Sequence, residues 1–170
     1  MKTFFTLVQV FFLKIFWKQF TQLIKNFIGE NVLAVPKIDC SSKSVEIDPT
    51  AKFAFPENIS IGNNSGIGSN VHIYAGAKSK IRIGNNTLIG PFAFITSDSF
   101  SKTRFEMMES HSGHQADILI GDNVRIGAHA VILPGLHIHD NVSIGAGAVV
   151  TKNIPAGKIY GGNPARELKK

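Results

Sequence analysis

The sequence predicts a mainly β protein built as a three-sided parallel β-coil, and three observations predict it. An aliphatic residue returns every six positions at Ile120, Ile126, Ile132, Ile138, Ile144 and Val150. A second small or aliphatic residue sits two places earlier each time, at Ile118, Val124, Ala130, Leu136, Val142 and Ala148. Glycine follows the first position at Gly121, Gly127 and Gly145. A period of six fits neither the 3.6 of a helix nor the 2.0 of a simple strand. It is the period of a β-helix in which each hexad is one flat side and a turn. Three sides close a coil of about 18 residues, and coils stack at roughly the strand spacing of 4.8 Å. Residues 120–155 therefore hold about two coils.

The whole-chain composition allows this fold and narrows the function. A chain of 170 residues is long enough for one domain with a sizeable core. Sixteen glycines and 44% hydrophobic residues suit a turn-rich β-fold. The single Cys40 excludes an internal disulfide framework and fits a reducing compartment. The net charge of +6 is gathered near the two ends rather than in one basic stripe, so no nucleic-acid partner is expected.

Residues 1–29 form the first predicted element, an N-terminal amphipathic α-helix. Phe4, Val8, Phe11 and Ile15 keep helical spacing, as do Phe12, Phe16, Phe20, Leu23 and Phe27, while Lys14, Lys18 and Lys25 interrupt the apolar run. The segment is too interrupted to span a bilayer and lacks the cleavage motif of a signal peptide. Its wide apolar face needs a cover, either the coil and its oligomer or a membrane surface on which residues 1–28 lie in plane with Trp17 as an anchor. Gly29 is the expected cap. Residues 30–44, with Pro36 and several serines, read as an extended linker.

The β-helix domain is expected from 45 to 170. Ile47, Phe53 and Ile59 are six apart, and so are Ile61, Ile67 and Ile73. A step of ten from Ile73 to Ile83, across Lys78-Ser79-Lys80, implies a small loop at one corner before Ile83, Ile89 and Ile95 resume. Asn63-Asn64, Asn85-Asn86 and Asp122-Asn123 fall at matching places and suit corners, because Asn and Asp tolerate left-handed backbone angles. From 98 to 117 the repeat lapses into an excursion loop, DSFSKTRFEMMESHSGHQAD. A loop of that length in a repeat protein is commonly functional. The tail, 156–170, carries Gly161, Gly162 and Pro164, which argue against regular structure, with a short helix expected from Ala165. His72, His137 and His139 flank inward isoleucines and so point outward, and His129 stands at a corner.

The run IGDNVRIGAHAVILPGLHIHDNVSIGAGAVVTKNIPAGKIYGGNPAR resembles the hexapeptide-repeat acyltransferases, and the likeness covers about residues 45–167. The branch it is most similar to comprises the maltose, galactoside and xenobiotic acetyltransferases and the O-acetyltransferases of bacterial surface polysaccharides. The resemblance implies a left-handed parallel β-helix, a homotrimer with active sites between neighbouring subunits, and transfer of an acetyl group from acetyl-CoA. Such chemistry needs a base for the acceptor proton, a donor for the oxyanion, and a groove for the CoA arm; no metal is required. By resemblance the groove falls on Gly127, Ala128, Gly145, Ala146, Ala148, Thr151 and Lys152, with Lys152 and Arg166 placed to meet the nucleotide phosphates.

The base departs from the family pattern. The family's histidine before the excursion loop aligns with Phe100 in GPFAFITSDSFS, and Phe has no proton to exchange. His114, where the chain re-enters the coil, is ranked first as base, and His111 second. Glu109 or Asp117 would orient the imidazole, and Asp98 and Glu109 are expected to contact the acceptor. The HxxH spacing supplies two ligands, too few for a metal site. The expected function is acetyl-CoA-dependent O-acetylation of a sugar or glycan hydroxyl. The alternatives are N-acetylation of an amino sugar, a non-catalytic scaffold that lost its histidine, and a metal-bearing β-helix, against which the GNPAR tail argues. A cytoplasmic location is expected, with the first helix as the one candidate for contact with the inner face of a membrane.

Overall fold

The computed structural model describes residues 14–29, 33–40, 44–99 and 114–169. Among the described residues, one α-helix, α1 (Lys14–Phe27), precedes the coil. The strands follow as β1 (Asp39–Cys40), β2 (Glu46–Ile47), β3 (Lys52–Ala54), β4 (Ile59–Ile61), β5 (Gly66–Ile67), β6 (His72–Tyr74), β7 (Ile81–Ile83), β8 (Leu88–Ile89) and β9 (Phe94–Thr96). Beyond the excursion come β10 (Ile118–Ile120), β11 (Arg125–Ile126), β12 (Val131–Ile132), β13 (His137–Ile138), β14 (Ser143–Ile144), β15 (Val149–Val150), β16 (Ile159–Gly161) and β17 (Arg166–Glu167).

Every third strand pairs with the next one up. One sheet runs β1-β4-β7-β10-β13, the second β2-β5-β8-β11-β14-β16-β17, and the third β3-β6-β9-β12-β15. The pairings are parallel except β16 with β17. The expected three-sided parallel β-helix is therefore present. Its register measures the irregularities. Arg125 pairs Ser143 eighteen residues on, the ideal step. Ser60 pairs Arg82 twenty-two on, which places a four-residue insertion at 77–80. Ile81 pairs Ile118 thirty-seven on, so the excursion adds nineteen residues to one coil.

Alternation within each short strand fills the prism. Ile120, Ile126, Ile132, Ile138, Ile144 and Val150 are buried, and so are their partners two places earlier. Burying an isoleucine side chain contributes about 1.5–3 kcal/mol, and these columns form one continuous core. Polar groups at one corner are paired along the axis. The Asn63, Asn85 and Asp122 amides donate in turn to the side chains of Asn85, Asp122 and Asp140 at 2.9, 2.6 and 2.8 Å. Their neighbours Asn64, Asn86, Asn123 and Asn141 hold φ between 53° and 59°, the left-handed angles that Asn accommodates. Phe92 (φ 60°) and His129 (φ 58°) take the equivalent angle at the next corner, and their rings stack 4.9 Å apart.

Two expectations are corrected at the ends. Part of the segment read as an extended linker belongs to the coil. Ala34 and Ile38 bracket a 3-10 turn at Val35–Lys37 and are buried, and β1 pairs with Ser60 and Ile61. The lowest coil would otherwise expose its apolar end, which solenoids cover with a cap. At the other end, Arg166–Glu167 is a strand rather than the start of a helix. It returns antiparallel onto Ile159–Gly161, with Ala165 buried and the Leu168 amide bonded to the Ile159 carbonyl at 2.8 Å. The exposed edge of the second sheet takes up the tail before helix propensity can act.

Candidate functional site

The excursion leaves and rejoins the coil through a narrow neck. Asp98 and Gln115 form an antiparallel bridge. The Ala116 amide donates to the Ser97 carbonyl at 3.0 Å, and the Ser99 amide donates to the His114 carbonyl at 3.1 Å. The backbone of His114 is thus fixed while its side chain is exposed. Asp98 lies across the neck. Its Oδ2 accepts from Gln115 Nε2 at 3.3 Å, whereas its Oδ1 is buried and has no hydrogen-bond donor among the described residues. A buried carboxylate oxygen left without a donor is costly and calls for an explanation. Phe100, Glu109 and His111 lie outside the described residues.

The four-residue insertion clamps this neck, a role the sequence reading missed. The Lys78 amide donates to Gln115 Oε1 and the Lys80 amide to Asp117 Oδ1, each at 2.8 Å. Ser79 Oγ and Ser97 Oγ lie 2.7 Å apart in the interior, and the Gly76 amide donates to Ser97 Oγ at 3.0 Å. The signal available in the sequence was a serine, Ser79, standing between two lysines at the point where the period slips by four. Asp117, expected to orient an imidazole, spends one carboxylate oxygen on this clamp.

A groove lies on the second sheet. A trough of about 670 Å³ crosses its outer face, lined by Asp48, Gly68, Leu88, Gly90, Arg125 and Gly127 among others. Of the residues expected to hold the CoA arm, Gly127 lines this trough. Ala128 follows Gly127 on the same coil, Gly145 and Ala146 lie above them on the next, and Ala146, Thr151 and Lys152 are exposed. Ala148 is buried, so it packs the core rather than facing a ligand. The folded-back tail brings Arg166 to that top coil, because the Ala165 amide donates to the Val149 carbonyl at 2.8 Å. Arg166 is exposed, with Nη1 bonded to the Ala165 carbonyl at 2.9 Å.

The two glycines in the column differ. A Cβ at Gly127 would meet the Ala146 nitrogen and would lie 2.7 Å from the Gly145 carbonyl carbon. Glycine there is imposed by the coil stacked above. At Gly145 the nearest atom would be the Tyr160 carbonyl oxygen at 3.5 Å, an ordinary contact. The outward histidines fall as the alternation requires. His137 and His139 flank buried Ile138 and stack with ring centroids 3.7 Å apart. His72 forms an aromatic group with Tyr74 and Phe94 on the third sheet, at 5.3 and 6.1 Å. Among the described residues, no three His, Cys, Asp or Glu side chains gather as a metal site.

Comparison with known proteins places this architecture. The family described as bacterial transferase hexapeptide (six repeats) matches residues 117–152. The galactoside O-acetyltransferase of Escherichia coli (strain K12) is 36% identical over 123 residues, which are 72% of this chain and 59% of that protein. A crystal structure of a maltose O-acetyltransferase from Clostridium difficile 630 superposes with a TM-score of 0.66 at 31% identity, covering 79% of this chain and 69% of that one. The hexapeptide-repeat acetyltransferase VCA0836 of Vibrio cholerae, solved with acetyl-CoA, gives a TM-score of 0.72 at 27% identity, covering 81% and 74%. The chain belongs to the hexapeptide-repeat acetyltransferase family. It spans about half to three fifths of the length of the first curated relatives it matches.

Proposed function

We propose that this chain is an acetyl-CoA-dependent O-acetyltransferase acting on a sugar or glycan hydroxyl. The observation that carries the reading is the neck, where the bond from the Ser99 amide fixes the His114 backbone beside the Asp98–Gln115 bridge and leaves the imidazole exposed. Asp98 stands beside the acceptor at the neck, and a hydroxyl of the sugar is presented to the exposed imidazole. His114 takes the proton of that hydroxyl as its oxygen attacks the thioester carbonyl. A C–O bond forms, the C–S bond breaks, and the CoA thiolate leaves and is protonated, giving an acetyl ester and free CoA. His111 is the second candidate for the base, and Glu109 for the acceptor. Acetyl-CoA lies along the glycine column of the second sheet, with Gly127, Ala128, Gly145 and Ala146 beside the pantetheine, Thr151 flanking it, and Lys152 and Arg166 on the phosphates. The relatives named for galactoside and maltose support the sugar, and the relative holding acetyl-CoA supports the donor. The chain acts as a homotrimer with the site between subunits, and the aromatic third sheet of His72, Tyr74 and Phe94 suits such an interface.

Release of the CoA thiol is measured with acetyl-CoA and a panel of neutral and amino sugars, and the product bond is typed by its lability to base. The expected result is an alkali-labile ester. His114→Ala should lower kcat by about 10²–10⁴, the range general-base catalysis supplies, with little change in melting temperature. Full turnover in His114→Ala with loss in His111→Ala transfers the role to His111. Full turnover in both variants removes the loop histidines. An alkali-stable amide formed only with amino sugars replaces the reading with N-acetylation, and acetyl-CoA binding without turnover on any acceptor replaces it with a scaffold.

A further inference from the structure

The helix α1 takes no part in the site. Phe16, Phe20, Leu23 and Ile24 share one helical face, with Trp17 beside them. Phe20, Leu23, Ile24 and Ile28 are 40–64% exposed. Lys14, Lys18, Thr21 and Lys25 recur at four, seven and eleven positions on the other face. Residues 1–28 contain four lysines and no carboxylate, and the first acid in the chain is Glu30. A helix of fourteen residues is about 21 Å long, short of the ~30 Å hydrocarbon core of a bilayer.

From this combination we infer that α1 docks on an anionic lipid surface. The helix lies in the plane of the interface, its Phe20–Leu23–Ile24 arc among the upper acyl chains and its lysines among acidic headgroups. The charge decides between occupants. A helix pair from two copies would cover the apolar arcs but leave the lysines on the outer faces, with no carboxylate in either segment to answer them. An anionic surface answers the apolar arc and the lysines together.

Trp17 is the only tryptophan in the chain, so its emission reports on the helix without a label. The full chain is mixed with phosphatidylcholine vesicles with and without phosphatidylglycerol, and flotation and emission are read together. The expected result is flotation with a blue-shifted, quencher-protected Trp17 on the phosphatidylglycerol vesicles alone, reversed by salt. Leu23→Glu and Phe20→Glu should abolish both signals. Changing Lys14, Lys18 and Lys25 together to Gln should weaken partitioning roughly a hundredfold, since each lysine near such a surface contributes about a factor of five. All these variants should release CoA thiol from a soluble acceptor at the original rate. No flotation of the full chain overturns the inference, as does flotation indifferent to both sets of variants. Loss of oligomer mass by light scattering in Leu23→Glu, without vesicle binding in the parent, assigns the helix to contacts between copies instead.

Discussion

Gly127 and Gly145 occupy the same place in successive hexads, yet only one of them is forced to be glycine. The coil above Gly127 presses the Ala146 backbone into the space a Cβ would fill. Above Gly145 lies β16, whose Tyr160 carbonyl leaves 3.5 Å. Gly127→Ala should therefore cost about 1–3 kcal/mol, the range for overpacking a tight contact, measured by urea unfolding. Gly145→Ala should fold within about 0.5 kcal/mol of the parent and act instead on the KM for acetyl-CoA, because the added methyl stands where the pantetheine is proposed to lie. If Gly145→Ala unfolds easily and binds acetyl-CoA normally, small residues in this column serve packing alone. The sequence gives the two glycines identical weight. What separates them is the element stacked above each, which is a property of the register.

At the scale of elements, the regular coil was legible and its neck was not. A period of six writes itself into side-chain chemistry, so the inward columns, the Asx corner and the slip of four after Ile73 could all be read from residue types. The neck is held by bonds between groups thirty-seven residues apart, Lys78 with Gln115 and Lys80 with Asp117, and the donors are main-chain amides that any residue carries. The bottom cap escaped for a related reason. Ala34 and Ile38 are too few to show a period, and their burial depends on the open end of the coil beneath which they fold. Gln115 ties the two sides of the neck together, accepting from Lys78 and donating to Asp98. Gln115→Ala should lose about 1 kcal/mol, the net worth of such bonds. It should reduce kcat/KM for the acceptor well beyond what that loss explains and leave the KM for acetyl-CoA unchanged. Equal effects on both substrates would detach the neck from acceptor binding.

For the whole molecule, contacts run between neighbouring coils, so stability is expected to approach a sum of coil and interface contributions. The two ends are closed differently, the lower by the 3-10 turn and β1, the upper by the β16–β17 hairpin. A defect in a middle coil weakens the interfaces on both sides of it, whereas a defect in a cap weakens one. Ile132, fully buried between β9 and β15, tests the middle, and Ile38 tests the lower end. Ile132→Ala should cost about 2–5 kcal/mol and raise hydrogen exchange in the coils on either side. Ile38→Ala should cost less and raise exchange at the Ser60 and Ile61 amides, where β1 pairs, while those of Ile126 and Ile144 keep their protection. Since the proposed site lies across the upper coils and the neck, Ile38→Ala should also leave turnover intact at temperatures where its lower coil already frays. A uniform rise in exchange along the solenoid in Ile38→Ala would mean that the caps and coils unfold as one block, and the separation of a fraying end from a working site would then be lost.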